Sequence, residues 1–132
     1  GAGAMKTVTA AIIEQEGRVL LTRRSHGQIF GGRWEFPGGK QEPGESLAAC
    51  LEREIREELS VTVRAGEIYA ESVFRSDRGA IRLVALKADL GDGEIQLSVH
   101  DRYAWVEKGR LADYDLSPAD IPIARKLAGE AA

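Results

Sequence analysis

Three glutamates, Glu54, Glu57 and Glu58, stand at i, i+3 and i+4 in a stretch that reads as helix, so they point to one side of it. Leu47, Ala48, Leu51, Ile55 and Leu59 recur at helical spacing, and the acidic arc lies directly beside that apolar stripe, at the edge of a core. Ion pairing on a solvated face is one explanation, since Glu52 with Arg56 and Arg53 with Glu57 have the favourable i to i+4 spacing. Glu54 and Glu58, however, are a like-charge pair at that same spacing, which weakens a helix unless something positive sits between them. A hard dication such as Mg2+, or Mn2+ in its place, takes oxygen ligands and turns that repulsion into attraction. Ahead of the helix, Gly38-Gly39 lets the backbone approach a ligand closely, and Lys40 follows as a cation for phosphate. The chemistry these residue types suit is metal-assisted work on a phosphorylated small molecule.

The surrounding pattern predicts the elements that hold these groups. Lys6 to Glu14 and Arg18 to Arg24 read as strands of a hairpin closed by Glu16-Gly17. Ser25 to Arg33 carries three glycines and reads as a loop, and Trp34-Glu35-Phe36 as a short strand stopped by Pro37-Gly38-Gly39. The helix runs from Ser46, a good N-cap, to Leu59, with Glu45 where the helix dipole favours an acid. Val61 to Arg75 reads as strand with a kink at Gly66, Ser76 to Gly79 as a turn, Ala80 to Ala88 as a buried strand and Tyr103 to Val106 as a last strand. A terminal helix ends near Ala128. Its start is either Ser117-Pro118 or, because of Pro122, Asp120-Ile121. The expected class is α+β, a mixed sheet with one strong central helix and one terminal helix.

At 132 residues, 43% hydrophobic and 30% charged, the chain has the composition of one globular domain. A net charge of -3 speaks against a nucleic-acid polymer as partner, because that affinity comes from neutralised phosphates. The one cysteine, Cys50, leaves neither an intramolecular disulfide nor a multi-cysteine zinc site. No apolar run approaches the ~18 residues of a membrane span, and no signal-peptide pattern precedes Met5. The expectation is a cytoplasmic protein whose domain spans residues 5–132, with Gly1-Ala2-Gly3-Ala4 a cloning remnant.

Gly39, five residues, Glu45, seven residues, then Arg53-Glu54-Ile55-Arg56-Glu57-Glu58-Leu59-Ser60-Val61 resembles the signature of the Nudix hydrolase family. That signature is Gly-x5-Glu-x7-Arg-Glu-apolar-x-Glu-Glu-x-Gly-apolar, and the departure from it is Ser60, where the family has glycine. Trp34-Glu35-Phe36-Pro37-Gly38-Gly39-Lys40, Thr22-Arg23-Arg24 and Pro118-Ala119-Asp120-Ile121-Pro122 are similar to segments of the MutT-like branch. The resemblance implies an α/β/α sandwich and Mg2+-dependent hydrolysis of a nucleoside triphosphate to monophosphate and pyrophosphate. It implies that Glu54, Glu57, Glu58 and the Gly38 carbonyl hold metal and that Arg53 orients the carboxylates. Glu54 is the first choice of general base, with Glu57 or Glu58 next. Close relatives often carry Glu-His shortly before the last strand's Trp. Here the pair is Val99-His100 ahead of Trp105, so either Asp101 substitutes or the site works with fewer ligands. His26 and His100 by themselves read as solvated or capping residues.

Arg24, Glu35, Lys40, Phe74, Arg78 and Asp120 are the expected substrate contacts. Phe74 either stacks on a base or belongs to the core, and Arg24 and Arg78 either meet substrate or stay solvated. An ionised Asp120 only accepts hydrogen bonds, which suits a base edge presenting N–H donors. It also stands where it would cap the last helix. The expected substrates are cytidine-type nucleotides or oxidised purines such as 8-oxo-dGTP. The alternatives are a hydrolase of dinucleotides such as NADH or diadenosine polyphosphates, and a catalytically weak nucleotide-binding module. The partner is thus a small nucleotide, with no nucleic-acid polymer and no membrane, and the protein a monomer or weak dimer.

Overall fold

The computed structural model describes residues 5–131, so the reading of Gly1 to Ala4 as a remnant lies outside the described residues. Six strands and two helices follow in the order β1 (Met5–Gln15), β2 (Arg18–Arg24), β3 (Trp34–Glu35), α1 (Leu47–Leu59), β4 (Val63–Ser76), β5 (Gly79–Leu90), β6 (His100–Glu107) and α2 (Ile121–Gly129). β1 runs parallel to β5, and β5 pairs antiparallel with β4, whose register shifts around Ala65 to Ala70, beside the predicted Gly66 kink. β2 pairs antiparallel with β6 and with the short β3.

β1 and β2 meet only at the hairpin end, where Glu14 faces Val19 and Gln15 faces Arg18. Beyond that they splay apart, and residues 34–41 fill the gap as a wedge. β3 bonds to β2 on one side of the wedge. On the other, Ala11 N donates to Pro37 O (2.7 Å), Thr9 N to Gly39 O (2.8 Å) and Gln41 N to Thr7 O (3.0 Å). A Cβ at Gly38 would run into the Thr9 carbonyl, so the first glycine of the pair is a packing requirement.

Alternating side chains of the central strands feed two cores. Ala10, Ile12, Val19, Leu21, Leu83 and Ala85 pack beneath α2 with Ile123, Ala124 and Leu127. Ala11, Ile13, Leu20, Val84 and Leu86 pack beneath α1 with Leu51, Ile55 and Leu59. A strand covered on both faces reads as a near-continuous apolar run, which β1 and β5 do. The result is the expected mixed-sheet α/β/α sandwich, with α1 on one face and α2 on the other. No helix among the described residues is long and apolar enough to cross a membrane.

Local chemistry explains the boundaries. Ser46 Oγ accepts from Ala49 N at 3.0 Å and opens α1 as expected. Ser60 closes it in the left-handed region, φ 60 and ψ 27, with its N–H donating to Arg56 O, so the family's glycine geometry is kept without glycine. Both starts weighed for the terminal helix are present in succession: Pro118 opens a 3-10 turn through Asp120, and α2 follows from Ile121 with Pro122 in its first turn. β6 starts three residues before the predicted Tyr103, at His100.

Candidate active site

A cleft of about 890 Å³ opens between the wedge, α1, the β4–β5 turn and the segment before α2. Gly38, Glu54, Glu58, Arg24, Glu35, Lys40, Phe74, Arg78 and Asp120 all line it, drawn together from stretches that are remote in sequence. Arg53 and Glu57, the other two expected site residues, do not line it.

Glu54 and Glu58 form the floor. Their side chains are each 15% exposed, against 59% for Glu57. The expectation that the acidic arc lies at the edge of the core holds for Glu54 and Glu58 and is corrected for Glu57, which sits at the solvent edge, where Arg53 Nη1 reaches its Oε2 at 3.3 Å. The pKa of Glu58 is pushed up to about 9, first by burial and then by the neighbouring Glu54 and Glu35 carboxylates. Glu58 Oε1 is left buried with no partner.

Arg53 is the organiser. Its Nε and Nη2 grip both oxygens of Glu45 (2.7 and 3.0 Å), Nη1 holds Glu54 Oε1 at 2.9 Å, and Nη2 also reaches the Lys40 carbonyl at 3.1 Å. The fork ties the glycine loop to the helix and holds Glu45 down at about 2. Glu45 is thus engaged with Arg53 and Glu42 N rather than serving the helix dipole. The Glu52–Arg56 pair that spacing allowed is absent: Glu52 Oε2 accepts from Ala65 N at 2.9 Å and docks α1 on β4. Gly39 leaves room for Glu54, since a Cβ there would meet that carboxylate. The carbonyls of Pro37 and Gly39 are taken by β1, and along an extended run the intervening Gly38 carbonyl faces the other way.

At the opposite end, Asp120 is fully buried and accepts from Phe36 N at 2.9 Å. Burial, followed by the charge of Glu35, raises its pKa well above the ordinary value, while the Phe36 N–H and Arg24 pull it back. Its side chain makes no capping bond to α2. Ser72 Oγ donates to Ala119 O (2.6 Å) and Ser117 N to Trp34 O (2.8 Å), which fix this segment to β4 and the wedge.

Sequence reasoning missed three residues. Ile29 and Phe30 lie at the cleft mouth, with Phe30 edge-on to Phe74 at 6.3 Å between centroids. Their signal was two large apolar side chains inside a glycine-rich loop. His100 is neither solvated nor capping: its side chain is 1% exposed, with Nε2 2.9 Å from Glu35 Oε2 and Nδ1 3.9 Å from Glu58 Oε1. Asp101 does not substitute at the cleft, because it turns away to Arg23 Nε at 2.7 Å. The bulge where β6 passes Arg23/Arg24 puts these neighbours on opposite sides.

The NUDIX domain model matches residues 4–127. The chain belongs to the Nudix family. Among curated proteins, the CTP pyrophosphohydrolase of Escherichia coli K12 is 39% identical over 119 residues, covering 90% of this chain and 88% of that protein. The 8-oxo-dGTP diphosphatase of Haemophilus influenzae is 32% identical over 124 residues, 93% and 91% of the two chains. The crystal structure of the MutT protein from Methanosarcina mazei Go1 is similar with a TM-score of 0.81 at 29% identity, covering 97% of this chain and 96% of that one. Nudix hydrolases use divalent metal ions.

The donors of this Nudix chain fit such an ion in chemistry. Two largely buried carboxylates lie in the cleft floor, one Glu58 oxygen is buried without a partner, and Gly38 lines the same cleft. Among the described residues no three His, Cys, Asp or Glu side chains converge as a ready cage. Glu57 stands apart from that pair at the solvent edge, in contact with Arg53 Nη1.

Proposed function

We propose that this Nudix hydrolase is a Mg2+-dependent nucleoside triphosphate pyrophosphohydrolase, carried by the one domain of residues 5–132, that releases nucleoside monophosphate and pyrophosphate. The observation that carries this reading is the two-ended cleft, with the Glu54 and Glu58 carboxylates at one end and the buried Asp120 with Phe74 at the other. A triphosphate placed with its base at the Asp120 end brings its phosphates over the carboxylates, where Lys40 and Arg78 offset their charge. When bound, Mg2+ supplies charge neutralisation of the phosphoryl oxygens.

Glu54, Glu57, Glu58 and the Gly38 carbonyl would hold the ion, Glu57 from the solvent edge. Arg53 orients the carboxylates. Glu54, held at one oxygen by Arg53, is the first choice of general base towards the attacking water, with Glu57 or Glu58 next. Phe74 stacks on the base with Phe30 against its edge, and Arg24 is fixed for substrate by Glu35 and by the Ile29 carbonyl (2.8 Å). Asp120, fixed by the Phe36 N–H, offers the base an acceptor oxygen, which suits edges that present N–H donors, as those of cytosine and 8-oxoguanine do. The names of the relatives in Escherichia coli and Haemophilus influenzae speak for those two substrate classes.

Pyrophosphate release from CTP, dCTP, 5-methyl-dCTP, 8-oxo-dGTP, dGTP, ATP and NADH, with Mg2+ and with EDTA, tests the reading. Expected is EDTA-sensitive release from cytidine nucleotides or 8-oxo-dGTP in excess of ATP. Absence of release from every triphosphate overturns it.

A further inference from the structure

Ser117 lines the cleft near Asp120, and its hydroxyl has no task in the fold. The residue is 6% exposed, and its Oγ is buried without a hydrogen-bond partner. A serine at the start of a helical turn ordinarily caps it, yet the Ser117 side chain makes no such bond to the 3-10 turn of Pro118–Asp120. The backbone alone holds it, with Ser117 N donating to Trp34 O at 2.8 Å and Ser117 O accepting from Asp120 N at 3.0 Å. The Trp34↔Leu116 bridge goes with a Leu116 side chain in the core beneath α2. By alternation Ser117 shares the side of Glu35, which also lines the cleft. The 3-10 turn then sets the side chain of Asp120 over that of Ser117, because i and i+3 eclipse in such a turn. An unpaired hydroxyl in a dry interior is destabilising, and one kept in the wall of a ligand cleft points to a partner that the ligand brings.

We propose that Ser117 is a specificity-determining residue whose hydroxyl donates to N3 of a cytosine while the N4 amine of that base donates to Asp120. This role rests on the reading that the base lies at the Asp120 end of the cleft. Phe36 N holds Asp120 Oδ1, so Oδ2 is the oxygen left for the amine. Ser117 and Asp120 thus set one donor beside one acceptor. Cytosine matches that pair, since its N4 amine has a ring acceptor on one side and a C–H on the other. 8-oxoguanine flanks its N7–H with a carbonyl oxygen on each side. It therefore calls for donors on both sides of Asp120, where the Phe36 N–H is already engaged with Oδ1. The Ser117 hydroxyl hangs on one rotatable bond, and a change of χ1 alone turns it towards a base edge seated against Asp120.

The probes are CMP and 3-deaza-CMP, in which a C–H replaces N3, titrated calorimetrically into the full chain in EDTA. The parent should bind CMP about tenfold more tightly than 3-deaza-CMP, the worth of one hydrogen bond in a buried site. Ser117→Ala should bind CMP about tenfold more weakly than the parent and no longer distinguish the two ligands. Its Tm should equal or exceed that of the parent, since alanine removes a buried hydroxyl that had no partner. A hydroxyl with a purely structural role gives the reverse, a lower Tm and a ligand preference that survives. Should Ser117→Ala not fold, Ser117→Gly, which also lacks the hydroxyl, takes its place. The assignment to Ser117 is overturned if the parent fails to bind CMP, if it binds both ligands within about twofold, or if the folded variant keeps the parent's preference. If the coupling is found but the parent releases pyrophosphate from no triphosphate, the proposed activity fails and the base contact stands. If 8-oxo-dGTP is hydrolysed while CMP is not bound, the activity stands and the contact is overturned.

Discussion

Glu58→Gln in the metal-free protein isolates the tension stored in the floor of the cleft. The pKa of Glu58 is raised from an ordinary carboxylate value of 4.5 to about 9 by burial and the neighbouring charges. A group with a raised folded pKa contributes stability that is full below its unfolded value and is lost as pH rises towards the folded one. Between those limits the folded state holds one proton more than the unfolded chain, so unfolding free energy falls by ~1.4 kcal/mol per pH unit. From pH 5.5 to 7.5 that amounts to about 3 kcal/mol at most. Glutamine has the same shape and no proton to lose, so the slope from this site vanishes. Urea unfolding in EDTA at several pH values, parent against variant, reads the difference directly. Contributions of Glu45, Asp101 and Asp120 are common to both proteins and cancel. The variant should gain on the parent steadily as pH rises, and parallel curves would falsify the account of Glu58 as a desolvated carboxyl crowded by Glu54 and Glu35.

Ser60→Gly should stabilise the protein by up to ~1 kcal/mol, because Ser60 holds a left-handed φ of 60 that glycine adopts freely; a lower urea midpoint for the variant would refute this. Gly39→Ala should lower turnover on the order of a hundredfold with little change in melting temperature, since the new methyl meets a Glu54 carboxylate that Arg53 prevents from yielding; unaltered kcat would refute it.

Much of the site is legible along the chain because it is built from local signals. The Ser46 cap, the stripe from Leu47 to Leu59 and the Gly38-Gly39 pair each have one physical meaning, and together they place Glu54 and Glu58. The carboxylate spacing fixed directions around α1 but not the neighbours beyond it, so it could not reveal that Arg53 holds Glu57 at the rim. His100 was hidden for a different reason. Counting back from Trp105 by twos assigns faces in a regular strand, and the bulge shifts that parity at Asp101. Asp120 was legible as a residue near the cleft but its depth was not, because its burial comes from β3, β4 and the wedge rather than from its own neighbours in sequence.

The wedge between β1 and β2 makes the cleft a keystone of the sheet. Thr7, Thr9 and Ala11 complete their hydrogen bonds only through residues 37–41, while the other edge of β1 is joined to β5 from Met5↔Ala80 to Ile13↔Ala88. The glycine loop therefore cannot open on its own in the way a surface lid does, because freeing it strips one side of the central strand. Local unfolding that spares the core is denied to this segment, and its amide protons should exchange with the globally protected class. Assembly carries the same signature: the catalytic loop acquires its shape when strands some seventy residues apart have paired, which places completion of the site late in folding.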